Sequence, residues 1–137
     1  MRSLLLIFGV LLSSPTRAGG LLIVASPQVP DSAISVTQLA EIYIFKKTFW
    51  SGNIQVIPVN REASSAEREI FTGAVFDLSP QNLGEFWNRL AFQGKFPPLI
   101  QSSDQAVLGF VRSVPGAIGY INANQQPDGV KILLRLP

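Results

Sequence analysis

Four short apolar segments of strand length follow one another along the chain after residue 20. Residues 21–25 are an uninterrupted apolar run that ends at a Ser-Pro pair, which predicts a buried strand. The alternating stretch 54–59 predicts a second strand, and the runs 117–121 and 130–136 predict two more. Residues 94–98, which contain a glycine and two prolines, are predicted to form a loop.

Four other segments carry apolar residues three and four positions apart behind a serine that can cap a helix. The predicted helices begin at Ser35, at Ser64, at Ser79 and within residues 102–105. In the second of them, Ser64 and Glu67 are spaced to form a capping box, in which each side chain accepts a hydrogen bond from the backbone N–H of the other. The resulting order, β-α-β-α-α-α-β-β, predicts parallel strands joined by helical crossovers at the start and an antiparallel final pair.

The first 18 residues have the layout of a secretory signal peptide. Arg2 precedes an apolar run over residues 4–12, which is too short to span a bilayer, and Ala18 supplies a small residue at the cleavage position. We therefore expect cleavage after Ala18, export to the periplasm, and a single mature domain over residues 19–137. An amphipathic or buried N-terminal helix is the alternative for the same residues.

The charge balance changes once that leader is set aside. The chain has 11 Lys and Arg against 9 Asp and Glu; because Arg2 and Arg17 belong to the predicted leader, the predicted mature domain carries 9 of each sign. A formally neutral domain lacks the basic footprint of a nucleic-acid-binding protein, so we expect no nucleic-acid partner.

The chain contains neither cysteine nor histidine. The absence of cysteine removes disulfides, thiolate catalysis and cysteine-based metal sites, and the absence of histidine removes the commonest metal ligand and the usual general base near neutral pH. We expect no metal, no cofactor and no catalysis, since an enzyme of this composition would need a carboxylate or a lysine in a special environment.

Three segments resemble a known family of binding proteins. Residues 39–47 followed by Trp50 are similar to a pattern written L..IF.G....W, residues 57–66 to a strand followed by an Arg and Ser-Gly-Thr anion loop, and residues 114–121 to a PGAIGY strand. These are patterns of the phosphate-binding proteins, the periplasmic substrate-binding components of bacterial phosphate ABC transporters. The likeness spans most of the predicted mature domain.

The resemblance implies an α/β fold: a single lobe of the type 2 periplasmic-binding-protein architecture, with a mixed β-sheet flanked by helices. It also implies a small oxyanion ligand, phosphate or a similar ion, and a membrane transporter or sensor protein as partner. Full members have two lobes that close on the ligand, whereas this chain has length for little more than one. The Ser-Gly-Thr triplet is replaced by Ser65-Ala66-Glu67, which puts a carboxylate where the family has a donor hydroxyl.

The candidate anion site comprises Ser26, Asn60, Arg61, Ser64 and Ser65. Ser26 follows the first strand, and the other four lie between a strand end and a helix start, where open α/β sheets bind ligands. Amides at a helix N-terminus, hydroxyls and a guanidinium suit an oxyanion. In the alternative, which needs no ligand, Ser64 and Glu67 cap the helix. Arg61 then pairs with Glu62 or Glu67.

Aromatic residues near these motifs have two interpretations. Phe45 and Trp87 are predicted to belong to the core. Phe49 and Trp50 follow two lysines in a turn, and they form either core or an exposed patch that docks a partner protein.

Taken together, the sequence favours an exported, non-catalytic oxyanion-binding protein. The alternative is a ligand-free periplasmic interaction or sensor-partner module that has kept the fold, which the Glu67 carboxylate favours. A single lobe cannot enclose an ion from two sides, so binding is expected to be weak unless the chain forms a homodimer.

Overall fold

A computed structural model describes Gly9 and residues 20–137 of the chain. Within this range the backbone forms one five-stranded mixed sheet with helices packed on both faces. This confirms the α/β fold class with a mixed sheet flanked by helices. The predicted signal peptide, residues 1–18, lies outside the described residues apart from Gly9.

The described fold contains five strands, four helices and one short 3-10 turn at Ser51–Asn53. The strands are β1 (Leu21–Ala25), β2 (Ile57–Arg61), β3 (Leu99–Gln101), β4 (Ala117–Asn122) and β5 (Lys131–Leu136). The helices are α1 (Val36–Tyr43), α2 (Ala66–Phe76), α3 (Pro80–Ala91) and α4 (Asp104–Ser113).

The strands lie side by side in the order β3-β2-β4-β1-β5. β2 is parallel to β3 and β4, whereas β1 is antiparallel to β4 and β5. The predicted parallel arrangement at the start of the chain is therefore wrong, because β1 and β2 are not adjacent and run in opposite directions. Within the described sheet, parallel pairs form only between β2 and β3 and between β2 and β4. The predicted antiparallel pairing of the last two strands is wrong, because β1 is inserted between them. As a result, β2 and β4 end at the same edge of the sheet, and β1 ends at the opposite edge.

β3 is the one strand of the described sheet that the apolar pattern missed. It is three residues long, it forms an edge of the sheet, and its Leu99 and Ile100 side chains are both more than half exposed. An edge strand of this length has neither the alternation nor the burial that strand prediction depends on.

The core lies on both faces of the sheet. On one face, Leu21 and Ile23 of β1 pack with Phe71 of α2, and on the other, Leu22 and Val24 pack beneath α4. Burial on both faces explains why the β1 segment is uninterruptedly apolar rather than alternating.

Serine caps begin all four helices. The capping box at Ser35 is present as predicted, and α3 and α4 begin behind Ser79 and Ser103. At α2 the predicted position is wrong by one residue, because Ser65 rather than Ser64 is the N-cap.

Both tryptophans belong to the core. Trp87 is buried and donates a hydrogen bond from Nε1 to the Tyr43 carbonyl. Trp50 is 3% exposed, and its Nε1 donates to the Gly116 carbonyl at 2.9 Å. The exposed form of the predicted Phe49–Trp50 patch is therefore wrong for Trp50, whereas Phe49 is 51% exposed.

Candidate functional site

Arg61 occupies the carboxyl end of β2, and its side chain is almost fully surrounded by carboxylates. Its Nε and Nη2 atoms donate to the two carboxylate oxygens of Glu62, each at 3.1 Å. Nη1 donates to Asp104 Oδ1 at 2.5 Å and lies 3.9 Å from Glu67 Oε2. The residue is only 7% exposed. Most of its N–H groups are thus already directed at acidic groups within the chain.

Asp104 joins three elements at this edge of the sheet. It begins α4, its Oδ1 accepts from Arg61 of β2, and its Oδ2 accepts from the backbone N–H of Asn122 at the end of β4 at 3.3 Å. Burial raises the pKa of Asp104, and the Asn122 N–H and the Arg61 charge oppose that increase. Its position indicates a structural tie between the helix and both parallel strands.

The pKa shifts of Glu62 and Arg61 follow from their pairing. The hydrogen bonds from Arg61 hold the pKa of Glu62 below its ordinary value. Burial alone disfavours the charged form of Arg61, but the Glu62 hydrogen bond and the surrounding carboxylates outweigh it and raise the Arg61 pKa. Both groups are therefore charged in the folded protein.

Asn60 faces inward and is used by the fold. It is 2% exposed, and its Oδ1 accepts from the Arg61 backbone N–H at 3.0 Å and from the Tyr120 hydroxyl. The Tyr120 ring is stacked on Phe71 with a centroid distance of 4.1 Å. Burial raises the pKa of Tyr120, so the phenol stays protonated and acts as the donor.

Ser64 and Ser65 have different environments. The Ser65 side chain accepts from the Arg68 backbone N–H at 3.1 Å, which caps α2, while Ser64 is exposed. Because the helix begins one residue later than predicted, Glu67 is not placed to complete a capping box with Ser64. Its carboxylate instead approaches Arg61.

Ser26 lies away from the other four predicted site residues. Its backbone N–H donates to the Ala117 carbonyl at the start of β4, whereas Arg61 is at the end of the neighbouring parallel strand. Four residues of strand separate these levels, which corresponds to roughly 13 Å along the sheet. The expected shared crevice does not form at Ser26, because β1 is antiparallel and its carboxyl end points to the opposite edge.

Arg68 was missed in the sequence, although it is part of the same cluster. It is 7% exposed, its Nη1 donates to the Arg61 carbonyl at 3.0 Å, and its guanidinium lies 5.5 Å from the Trp87 ring centroid. Its Nε and the Thr72 hydroxyl are buried without a hydrogen-bond partner in the described structure. The available signal was its spacing: Arg68 and Thr72 flank Phe71 on the helix face that is directed at the core.

The cluster therefore consists of two guanidinium groups, Arg61 and Arg68, and the three carboxylates of Glu62, Glu67 and Asp104, with a formal net charge of −1. The exposed fraction of the carboxylate side chains is 31% for Glu62, 20% for Glu67 and 10% for Asp104. Glu62 is thus the carboxylate that can leave Arg61 with the smallest change in packing.

Two further features concern the described residues as a whole. Within residues 20–137 no group of three or more acidic side chains is arranged to hold a metal ion. None of the helices in that range is long and apolar enough to cross a bilayer.

The sheet order and the helices on both faces define a periplasmic-binding-protein-like fold, and solved structures share it. A phosphate ABC transporter substrate-binding protein with bound phosphate from Clostridium perfringens has a TM-score of 0.68 and 21% identity, covering 83% of this chain and 44% of that chain. An ABC-type phosphate transport receptor from Vibrio cholerae has a TM-score of 0.66 and 23% identity, covering 83% and 45%. PstS from Borrelia burgdorferi has a TM-score of 0.64 and 20% identity, covering 83% and 46%.

These similarities are confined to the fold. No protein-family model and no curated protein matches the sequence. The chain spans less than half the length of each of the three similar structures.

Proposed function

We propose that the chain is a non-catalytic binding protein that takes a small oxyanion, phosphate or a similar ion, at Arg61 in exchange for Glu62. The observation that supports this most directly is the contact between the two side chains. A carboxylate, itself an oxyanion, already lies bidentate on a buried guanidinium, with two N···O distances of 3.1 Å, and its side chain is the most exposed of the three carboxylates around Arg61.

The position of Arg61 is consistent with this proposal. It lies where β2 ends and α2 begins, and the N-terminus of a helix favours negative charge. Ligands of open α/β sheets bind at the carboxyl ends of strands. The Clostridium perfringens structure of the same fold is described as holding phosphate.

Competition from Glu62 sets the expected affinity. Glu62 is the neighbour of Arg61 in the chain, so its carboxylate is present at a high effective concentration. Together with Glu67 and Asp104 it also makes the local charge unfavourable for an anion. Free phosphate is therefore expected to bind the natural chain weakly.

Replacing Glu62 tests the exchange. In Glu62→Gln the neutral amide no longer forms the ion pair with the Arg61 guanidinium, and one negative charge is removed. Phosphate should therefore bind at least about tenfold more tightly than to the natural chain. Titration calorimetry with phosphate, and with sulfate in parallel, measures this. Glu69→Gln is the matched control, because Glu69 is an exposed acidic residue in the first turn of α2 and should leave the affinity unchanged.

The result that contradicts the proposal is the absence of measurable heat from Glu62→Gln at millimolar phosphate and sulfate. An increase that is equally large for Glu69→Gln also contradicts it, because that increase would reflect net charge rather than the Arg61 fork.

A second candidate is a module that has kept the fold and binds no small ligand, which the excess of carboxylates around Arg61 favours. In that case the ion cluster serves only to fasten α4 to β2 and β4. The same titration separates the two, because only the first candidate predicts that Glu62→Gln gains affinity. Under either candidate, export by a leader at residues 1–18, residence in the periplasm and a transporter or sensor as partner remain predictions.

A further inference from the structure

A concave apolar surface lies at the opposite end of β2 from Arg61, where β2 and β3 begin. One cavity there has a volume of about 310 Å³ and is lined by the end of α1, the start of β2 and the segment before β3, including Ile42, Val56, Pro97 and Leu99. A second, more open cavity shares Phe45, Thr48 and Phe96 with it. We call this continuous surface the Phe96 groove.

One of the residues that line the groove, Phe45, has a strained backbone conformation. Phe45 has a φ of 65°, which is the left-handed region that a bulky side chain rarely adopts, and its side chain lines both cavities. Such strain costs of order 1–3 kcal/mol and persists where the surroundings hold it in place. The chain thus holds a residue of strained backbone, with an aromatic side chain, among the lining residues of the groove.

The groove reaches β3, whose Leu99 is among its lining residues. Within the described residues β3 pairs with β2 on one side and has no partner on the other, and Leu99 and Ile100 are 53% and 55% exposed. Phe96, which lines both cavities, is 83% exposed, and Phe92, which ends α3, is 93% exposed. An exposed apolar edge is the kind of surface to which another chain adds a strand, with backbone hydrogen bonds supplying affinity and pockets supplying specificity.

The charge around the groove indicates what kind of chain fits. Lys47 and Lys95 are among the lining residues of the two cavities, and none of the described lining residues is acidic. Two copies of the chain meeting at this surface would bring like charges together. A segment that alternates apolar and acidic residues would place apolar side chains in the groove and carboxylates beside the lysines.

The size of the surface also favours a peptide over a second copy. Even when Phe92 and Ile100 are counted with the lining residues Phe96 and Leu99, the four exposed side chains present no more than about 500 Å² of apolar surface. A standard interface between two folded proteins buries about 800 Å² on each partner. A concave groove near a free strand edge also fits an extended peptide better than it fits the flat surface of a bilayer.

We propose that the Phe96 groove binds an extended segment of a partner protein, which alternates apolar and acidic residues and adds a strand beside β3. This proposal does not depend on the oxyanion site, because the groove and Arg61 lie at opposite ends of β2.

A synthetic peptide tests the proposal. The probe is a short, capped, fluorescent peptide in which valine or phenylalanine alternates with glutamate, and its binding to residues 19–137 is measured by anisotropy. Phe96→Ser should weaken binding at least about tenfold. Leu78→Ser is the matched control, since Leu78 is 42% exposed, precedes α3 and lies roughly 20 Å along that helix from Phe92; it should leave the affinity unchanged.

Two peptide variants and one charge reversal in the protein test the backbone pairing and the charge complementarity separately. Methylation of the central backbone nitrogens should abolish binding, because it removes the donors that pair with β3, and lysine in place of glutamate should do the same. Lys95→Glu should weaken binding of the glutamate peptide and strengthen binding of the lysine peptide.

Several outcomes overturn the proposal. It fails if the glutamate peptide does not bind, or if the methylated or lysine peptide binds equally well. It also fails if sedimentation shows a dimer that Phe96→Ser dissociates, since the groove would then belong to a second copy. Binding to phosphatidylglycerol vesicles without binding to the peptide would likewise assign the surface to a membrane.

Discussion

At the residue scale, the described cluster around Arg61 depends on contacts between distant parts of the chain. The sequence indicated pairing of Arg61 with Glu62 or Glu67, and both contacts are present. The shortest contact is with Asp104, 43 positions away, and no local pattern signals it. The segment 102–105 predicted only the start of a helix, because the sequence alone does not show that α4 begins at the end of the sheet where β2 ends.

The Glu62–Arg61 pair should give stability a specific dependence on pH. The pKa of Glu62 is lowered in the folded state, so its contribution is complete above the unfolded-state pKa of about 4.3 and is lost as the pH falls through the folded-state value. The difference in unfolding free energy between the natural chain and Glu62→Gln should therefore be constant near neutral pH and shrink below about pH 4. Urea unfolding over a pH series measures it.

The pair is partly exposed, so its contribution to stability should be modest, within about 1 kcal/mol. A difference between the two proteins that grows on acidification would contradict the assigned direction of the pKa shift.

At the element scale, the four helices of the described fold and its longer strands were predictable, and the misplaced features have physical causes. Capping serines followed by regularly spaced apolar residues indicated all four helices of the described fold. At α2, however, two adjacent serines were both suitable caps, and the Ser64–Glu67 spacing favoured the wrong one. β3 was missed because its few residues are exposed, and Ser26 was misplaced because strand direction depends on the partner strand.

The cap of α2 gives a direct test of that choice. Ser65→Ala should lower the free energy of unfolding by about 1 kcal/mol, since the Arg68 backbone N–H loses its acceptor. Ser64→Ala is the control and should leave stability nearly unchanged, because Ser64 is exposed and makes no cap. Chemical denaturation of both variants gives the comparison. A larger effect at Ser64 would restore the helix start that the sequence predicted.

At the scale of the whole molecule, α4 packs against the sheet so closely that one strand position must be glycine. A Cβ atom added at Gly119 of β4 would lie 2.8 Å from Val107 Cγ1 of α4. Valine is a stiff side chain, so the contact cannot be relieved by a simple rotation. The sequence located this glycine at the centre of a strand, but the reason for it is visible only in the packing.

Substitution at Gly119 should therefore weaken the joint between helix and sheet. Gly119→Ala is expected to destabilise the fold by about 1–3 kcal/mol through overpacking. Gly109→Ala in α4 is the matched control: among the described residues, no atom outside the helix backbone and the neighbouring residues lies within 4 Å of its added Cβ, and alanine should stabilise the helix by about 0.5–1 kcal/mol. Thermal unfolding of the two variants should give shifts of opposite sign, and shifts of equal sign would contradict this view of the packing.

The position of β1 between β4 and β5 has a consequence for how the chain folds. Leu21 pairs with Asn122 on one side and with Leu136 on the other. The first strand of the described sheet therefore cannot form its backbone hydrogen bonds until the last two strands are present. Contacts this far apart in sequence make folding slow, because the entropy of closing a long loop is lost before the strand contacts can stabilise the chain. A ribosome-bound chain that lacks β4 and β5 should stay open and susceptible to proteases, and shortening the carboxyl terminus into β5 should leave one edge of β1 without a partner.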